Sequence, residues 1–326
     1  MIYDIRHLTT YAYESPVSFA RCSLRLEPKS GDGQQLISHS VEIRPRPTDR
    51  AVRRDFFGTH TESITIETAH RNLRIDSRSR VSVSRKALDR AAPSPSWDDI
   101  RDVAFEATSL GPASPIGYVF ASALVPVQAP VTAYAAASFP PGGGILSGTA
   151  DLMRRIRNDF RYDPKATVIS TPLREVFEKR HGVCQDFAHV MIAGLRGLGL
   201  PAAYVSGYLR TIPPPGRPRL QGADATHAWV SVWCGAEFGW VGFDPTNNLI
   251  AGEQHIRVAV GRDYTDVPPT RGVFKGDAGS ELSVAVAVSP ASSKVGRREL
   301  SPAVSWIMPP KAGAAAEEDA HRQQQQ

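Results

Sequence analysis

Three residues far apart in the chain have the types that acyl transfer needs: Cys184, His227 and Asp244. Cys184 lies in GVCQDFAHVMIAGLRGL, residues 182–198, which opens as a glycine turn and continues as a helix. Phe187, Val190, Met191, Gly194, Leu195 and Leu198 recur at helical spacing and predict one buried face. The thiol therefore falls at a helix N-terminus, where unsatisfied N–H groups and the positive end of the dipole favour an anion. A cysteine so placed is the better nucleophile, because its thiolate is favoured. His227 sits in THAWVSVW (226–233) and Asp244 in GWVGFDPTNN (239–248). Both segments read as strands, and the glycines at 235 and 239 bound a turn that predicts an antiparallel hairpin. On that hairpin His227 shares a face with Trp229, Ser231 and Trp233, and the partner strand brings Asp244 within cross-strand reach. Nucleophile, base and orienting carboxylate are the parts of covalent acyl transfer through a thioester. The Cys184 N–H is placed to donate to the developing oxyanion.

Around this set stand weaker candidates. Gln185 has the chemistry of an oxyanion donor, Tyr162 and Trp229 that of cleft-lining aromatics, and Asp224 that of a partner for a cationic substrate group. Each has a structural counterpart in helix packing, aromatic core or loop solvation. Asp186, in the first helical turn, stabilises the dipole without any further role. A metal set could be sought among His181, Cys184, His189 and His227, but no second Cys or His pair completes a zinc site. No metal or other cofactor is expected. Cys22 and Cys234 read as structural thiols.

The frame that must hold these residues is long. A chain of 326 residues exceeds one small core and predicts two domains and a tail. Lys and Arg number 38 and Asp and Glu 33, a net charge of +5. That excess is too mild to indicate nucleic acid, and no aromatic–basic interleaving accompanies the arginine-dense stretches at 44–54 and 71–86. Three cysteines argue for a reducing compartment and against a disulfide framework. The opening MIYDIRHLTTYAYES lacks an apolar signal segment, so a cytoplasmic location is expected. Residues 107–150 carry no Asp, Glu, Lys or Arg, yet six prolines interrupt them, which excludes a membrane-spanning helix.

In chain order, residues 1–88 alternate in short β-prone runs and predict an all-β domain, a small sandwich or barrel. A short helix at 97–108 and a Pro-rich irregular connector fill 89–144. Residues 145–290 should form the core: helices at 145–160, 172–179 and 184–198, then strands at 202–210, 226–233, 240–244, 255–260 and 281–288. Helices followed by an antiparallel sheet make this an α+β domain. The Pro-rich loop at 212–224 borders the cleft, and 291–326 is expected to be a largely disordered tail in which Trp306 and Ile307 dock locally.

The segments GVCQDFAHVM, THAWVSVW and GWVGFDPTNN resemble the Cys, His and Asp segments of the transglutaminase-like fold, which is related to papain-type cysteine peptidases. YDIRHLTTYAYESPV at the N-terminus and VAVGRDYTDVPPTRGVF at 258–274 are similar to bacterial transglutaminase-like cysteine peptidases, whose core follows an all-β N-terminal domain. The resemblance covers about residues 1–290 and implies a papain-like α+β core with Cys184 as nucleophile, His227 as base and Asp244 as orienter. It implies hydrolysis of an amide or peptide bond, with a peptide or protein as substrate. The Ca²⁺ loop and the added C-terminal β domains of calcium-dependent transglutaminases are missing from the pattern. Two alternatives stand beside hydrolysis: transfer of the same acyl group to an amine, and a non-catalytic binding module that keeps the fold.

Overall fold

A computed structural model describes residues 1–85, 87–90, 92–210, 226–276, 279–291 and 304–308. The N-terminal strands are β1 (Ile2–Val17), β2 (Phe19–Leu24), β3 (Gln34–Arg44), β4 (Asp49–Arg54), β5 (His60–Ile66) and β6 (His70–Val83). In β1 the residues Tyr3, Ile5, His7, Thr9, Tyr11 and Tyr13 alternate inward, the period of a half-buried strand. Next come α1 (Trp97–Phe105), α2 (Ala129–Ala136), α3 (Ile145–Asp159), β7 (Arg161–Tyr162), α4 (Leu173–Lys179), β8 (His181–Gly182) and α5 (Cys184–Gly197). The chain continues through β9 (Ala202–Leu209), β10 (Thr226–Trp233), β11 (Trp240–Asp244), β12 (Leu249–Ile250) and β13 (His255–Gly261). It closes with β14 (Thr270–Lys275), β15 (Ser280–Pro290) and β16 (Val304–Met308).

The fold is α+β with antiparallel sheets. Strands β12-β11-β10-β9-β13 make one five-stranded sheet that packs on the helices. The N-terminal layer is two further sheets, β16-β15-β1-β6-β3 and β14-β2-β5-β4, sharing one core of residues such as Tyr3, Leu24, Ile64, Leu73 and Ile75. Here the pairing departs from the sequence reading. The strand expected at 281–288 exists within β15, but it pairs with β1 over eleven residue pairs, not with the sheet of His227 and Asp244. Likewise β14 pairs with β2. Alternation marks a half-buried strand but carries no information about its partner, and the long β1 offered an edge to cover.

The Pro-rich connector contains a helix that was not expected. Helix α2 begins with Pro130 in its first turn and is rich in alanine, so no polar face betrayed it. It packs on α5 through small residues. A Cβ at Gly194 would stand 2.7 Å from Ala135 Cβ, and one at Gly197 would stand 2.9 Å from Thr132 Cβ. The two glycines thus permit close helix approach. Every residue of α5 from Cys184 to Arg196 is buried. Arg196 ends this run by donating to the carbonyls of Tyr118 (3.0 Å), Ala202 (2.8 Å) and Arg262 (2.6 Å), which ties connector, sheet and following turn to one helix.

Smaller adjustments follow local chemistry. Helix α1 stops at Phe105, short of residue 108. Pro172 caps α4 instead of opening it, and Thr171 Oγ1 accepts the Val168 N–H. Val304–Met308, which contains Trp306 and Ile307, pairs with β15. The loop at 212–224, Asp224 and the rest of the expected tail lie outside the described residues. No helix among the described residues is long and apolar enough to cross a membrane.

Candidate active site

Helix α5 presents Cys184 as its first residue. The N-cap, Val183, has an extended backbone and no side chain able to cap, so the first N–H groups face the thiol end of the helix. Asp186 reaches back to accept the Val183 N–H at 2.8 Å and the Thr167 hydroxyl at 2.6 Å. Its carboxylate fills the space above Gly182, where a Cβ would lie 2.5 Å from Oδ2. That explains the glycine before the cysteine. Burial pushes the Asp186 carboxyl up to about 6 in spite of both donors.

The hairpin forms as its glycines predict: Gly235 and Gly239 take φ of 93° and 61°, and Trp233 pairs with Trp240. It delivers His227 and Asp244 to each other, with Nε2–H donating to Oδ2 at 2.8 Å. Cys184, His227 and Asp244 are all wholly buried. His227 Nδ1 is buried without a hydrogen bond of its own. The Cys184 thiol lies beside the ring and interacts with it. Burial works against a charged His227, but the Asp244 carboxylate, with help from Cys184, holds its pKa well above the ordinary histidine value. Burial likewise opposes the Asp244 charge, and the two neighbouring histidines hold it well below the usual carboxylate range.

The carboxylate is gripped from several sides. Oδ1 accepts the backbone N–H groups of Thr246 (3.0 Å) and Asn247 (3.1 Å), a turn closed by the aspartate on its own chain. Oδ2 accepts Asn247 Nδ2 (2.9 Å) and His255 Nε2 (3.3 Å) besides His227. Trp229 stacks on the His227 ring at 6.2 Å between centroids and meets His255 edge-on at 5.2 Å. Both neighbouring strands make room for the indole with glycine. A Cβ at Gly207 would lie 2.6 Å from it, and one at Gly242 3.3 Å from its Nε1.

Of the other expected residues, Tyr162 stands beside the site, because β7 aligns it with Gly182. Burial and the nearby Cys184 and Asp186 push its hydroxyl above the usual tyrosine value. Gln185 is buried, and its Oε1 has no hydrogen-bond partner. Trp229 is buried at 3% exposure and acts as a wall of the histidine. Asp224 lies outside the described residues. The ligands considered for a metal, His181, Cys184, His189 and His227, do not form a group. The one metal-capable cluster among the described residues is His227, Asp244 and His255, with ligand atoms within 4.8 Å of one another. Those atoms are already joined by hydrogen bonds, and a cation would have to displace the Nε2 protons of both histidines. His189 Nε2 accepts the Tyr264 N–H at 3.3 Å.

Residues 3–82 match the bacterial transglutaminase-like N-terminal region, and residues 144–245 match the transglutaminase-like superfamily core. An uncharacterized protein of Mycobacterium tuberculosis is 39% identical over 88% of this chain and 92% of its own length. The chain belongs to the bacterial transglutaminase-like family. A Mycobacterium leprae relative is 32% identical over 87% of this chain and 96% of its own. A protein-glutamine gamma-glutamyltransferase of Pseudomonas aeruginosa is 32% identical over 29% of this chain and 15% of its own length. The crystal structure of a candidate cysteine protease from Cytophaga hutchinsonii has the same fold, with a TM-score of 0.72, 21% identity, and coverage of 91% of this chain and 92% of that one. Family and fold together support a cysteine-dependent enzyme. Sequence reasoning passed over Asn247 and His255. The DPTN turn after Asp244 was the available signal for Asn247. His255 had none, since its strand is separated from Asp244 by two others in the sheet.

Proposed function

We propose that this protein is a cysteine-dependent amide or peptide hydrolase using Cys184, His227 and Asp244. The observation that carries the reading is a wholly buried imidazole with Nε2 on Asp244 at 2.8 Å and its other face toward the first residue of a helix, a cysteine. His227, whose pKa is raised beside Asp244 and Cys184, takes the Cys184 proton as the reaction begins. The sulfur attacks a carboxamide or peptide carbonyl carbon, and the carbonyl oxygen becomes an oxyanion facing the N–H groups at the start of α5. His227 Nδ1–H protonates the leaving nitrogen as the C–N bond breaks, which leaves a thioester on Cys184. Neutral His227 then takes a proton from water, whose oxygen attacks the thioester and expels the thiolate. Asp244 keeps the ring in the orientation and tautomer that both steps need. The wholly buried thiol requires a displacement of its covering groups before substrate enters.

A second reading replaces water with a primary amine, and the glutamyltransferase of Pseudomonas aeruginosa among the relatives favours it. One experiment separates them. A glutamine-containing peptide pool is incubated with and without a labelled primary amine, and the acyl-enzyme is trapped and mapped by mass spectrometry. Acyl groups on Cys184, released as acid, support hydrolysis. Stable amine incorporation without calcium supports transfer. No adduct on Cys184, with Cys184→Ala as control, refutes both.

A further inference from the structure

Asp244 has two histidines on a single oxygen, and they differ. His227 donates at 2.8 Å and His255 at 3.3 Å. The Gly252 N–H points into His255 Nδ1 at 3.4 Å, which leaves the ring proton on Nε2, directed at Asp244. His255 is 2% exposed. Its backbone is gripped from outside the core: Arg85, just beyond β6, donates to the His255 carbonyl at 2.5 Å and the Gly252 carbonyl at 3.1 Å. Arg85 also donates to Gln34 Oε1 at 3.1 Å, and Gln34 pairs with both the N–H and the carbonyl of Arg257 at 2.8 Å. The N-terminal layer thus fastens the strand that carries His255.

We propose that His255 is a positioning residue of the site, a neutral imidazole that fixes the Asp244 carboxylate toward His227 and is itself held in register by Arg85 and Gln34 of the N-terminal layer. The assignment rests on the Cys184–His227–Asp244 reading above. It concerns a residue beyond the matched core, which ends at residue 245. Two rings sharing one carboxylate cannot both carry charge cheaply. Burial lowers the pKa of His255, Asp244 opposes that, and His227 and Arg85 reinforce it. One ring is kept neutral while the other is kept charged, the division of labour that separates a positioner from an acid–base group. A free carboxylate would turn about its Cα–Cβ and Cβ–Cγ bonds. With Oδ1 on two backbone N–H groups and Oδ2 on Asn247 and His255, only one direction remains for His227.

The test compares full-length wild type with His255→Asn and His255→Gln. Asn keeps an acceptor near the Gly252 N–H but is too short to donate to Asp244, whereas Gln places an N–H near the lost Nε2. The readouts are the second-order rate constant of iodoacetamide at Cys184 near pH 7, assigned by mass spectrometry, and the fraction of molecules that react. Loss of one hydrogen bond to a charged group predicts a rate constant about tenfold to a hundredfold lower in His255→Asn. His255→Gln is expected to recover to within about threefold of wild type. An unchanged rate constant in His255→Asn, with only the reacting fraction or the melting temperature reduced, shows a merely structural residue and overturns the proposal. If wild-type Cys184 reacts no faster than Cys22 and Cys234, the underlying catalytic reading falls, and this assignment with it. A fast wild type beside an equally fast His255→Asn sinks this assignment alone.

Discussion

Replacing Asp244 by Asn alters one atom of a group that accepts five hydrogen bonds. Oδ1 must stay an acceptor for two backbone N–H groups, so the new NH₂ falls at Oδ2 and faces three donors. Charge is lost as well. At 2.8 Å and an effective dielectric of about 20, carboxylate and imidazolium attract by about 6 kcal/mol. Burial of the ring, which disfavours its charge, offsets much of that. A net loss of about 2–4 kcal/mol in favour of the thiolate–imidazolium pair predicts alkylation of Cys184 about thirtyfold to a thousandfold slower at pH 7. The variant should regain rate as pH rises, because alkali removes the thiol proton without help from the imidazole. Stability gives a second reading. His227 has a raised pKa, so its contribution is complete below about 6.5 and disappears as pH rises through the folded value. Asp244 has a lowered one, so its contribution is complete above about 3.9 and disappears as pH falls through the folded value. The pair therefore stabilises most between about pH 4 and 6.5, and breaking it there should cost about 3–5 kcal/mol in urea unfolding. Rates are compared on the folded fraction. A variant that alkylates at the wild-type rate at pH 7 would refute the charged-pair argument.

Three further outcomes follow from the same structure. Asp186→Asn removes a buried carboxylate whose raised pKa makes stability fall as pH rises from about 4 to about 6, so the variant should gain about 1–3 kcal/mol at pH 7.5 and lose that advantage below pH 4, measured by urea unfolding at both. Gly194→Ala drives a methyl against Ala135 and should cost about 1–3 kcal/mol, and adding Ala135→Gly should restore part of it in a double-mutant cycle; additive losses would contradict the packing account. Arg85→Met cuts the bonds to the 252 and 255 carbonyls and should slow Cys184 alkylation in the same direction as His255→Asn, with a smaller effect.

What could be read from the chain alone follows the range of each interaction. Helix α5 and the β10–β11 hairpin are local: glycine turns, period 3.6 and period 2 lie within a few residues of one another. So is the placement of Cys184 at a helix start. Helix α2 was hidden because Ala129–Ala136 has no polar face to contrast with its buried one, and its fit to α5 depends on Gly194 and Gly197, more than fifty positions on. The choice of β1 as partner for β15 is longer still in range, and nothing in an alternating run specifies it. His255 reads as one more strand residue until the sheet brings it to Asp244. Trp229 read as an aromatic of the cleft or the core. Its place against His227 depends on Gly207 and Gly242, one on each neighbouring strand.

The closure of the N-terminal layer by β15 also sets a timetable. In the sheet order β15 lies between β16 and β1, so β1 has one open edge until Ser280–Pro290 has left the ribosome. The whole of α1 through β13 is made in the interval, which makes that segment an insertion looped out of the N-terminal layer, where β1 and β15 are neighbours. Translation arrested before residue 280 would release a chain with folded helices and a long, Thr- and Tyr-rich strand lacking its mate, an edge that invites pairing with other chains. Deleting the C-terminal strands should therefore lower soluble yield more than deleting an equal length of tail, even though they lie far from the cysteine.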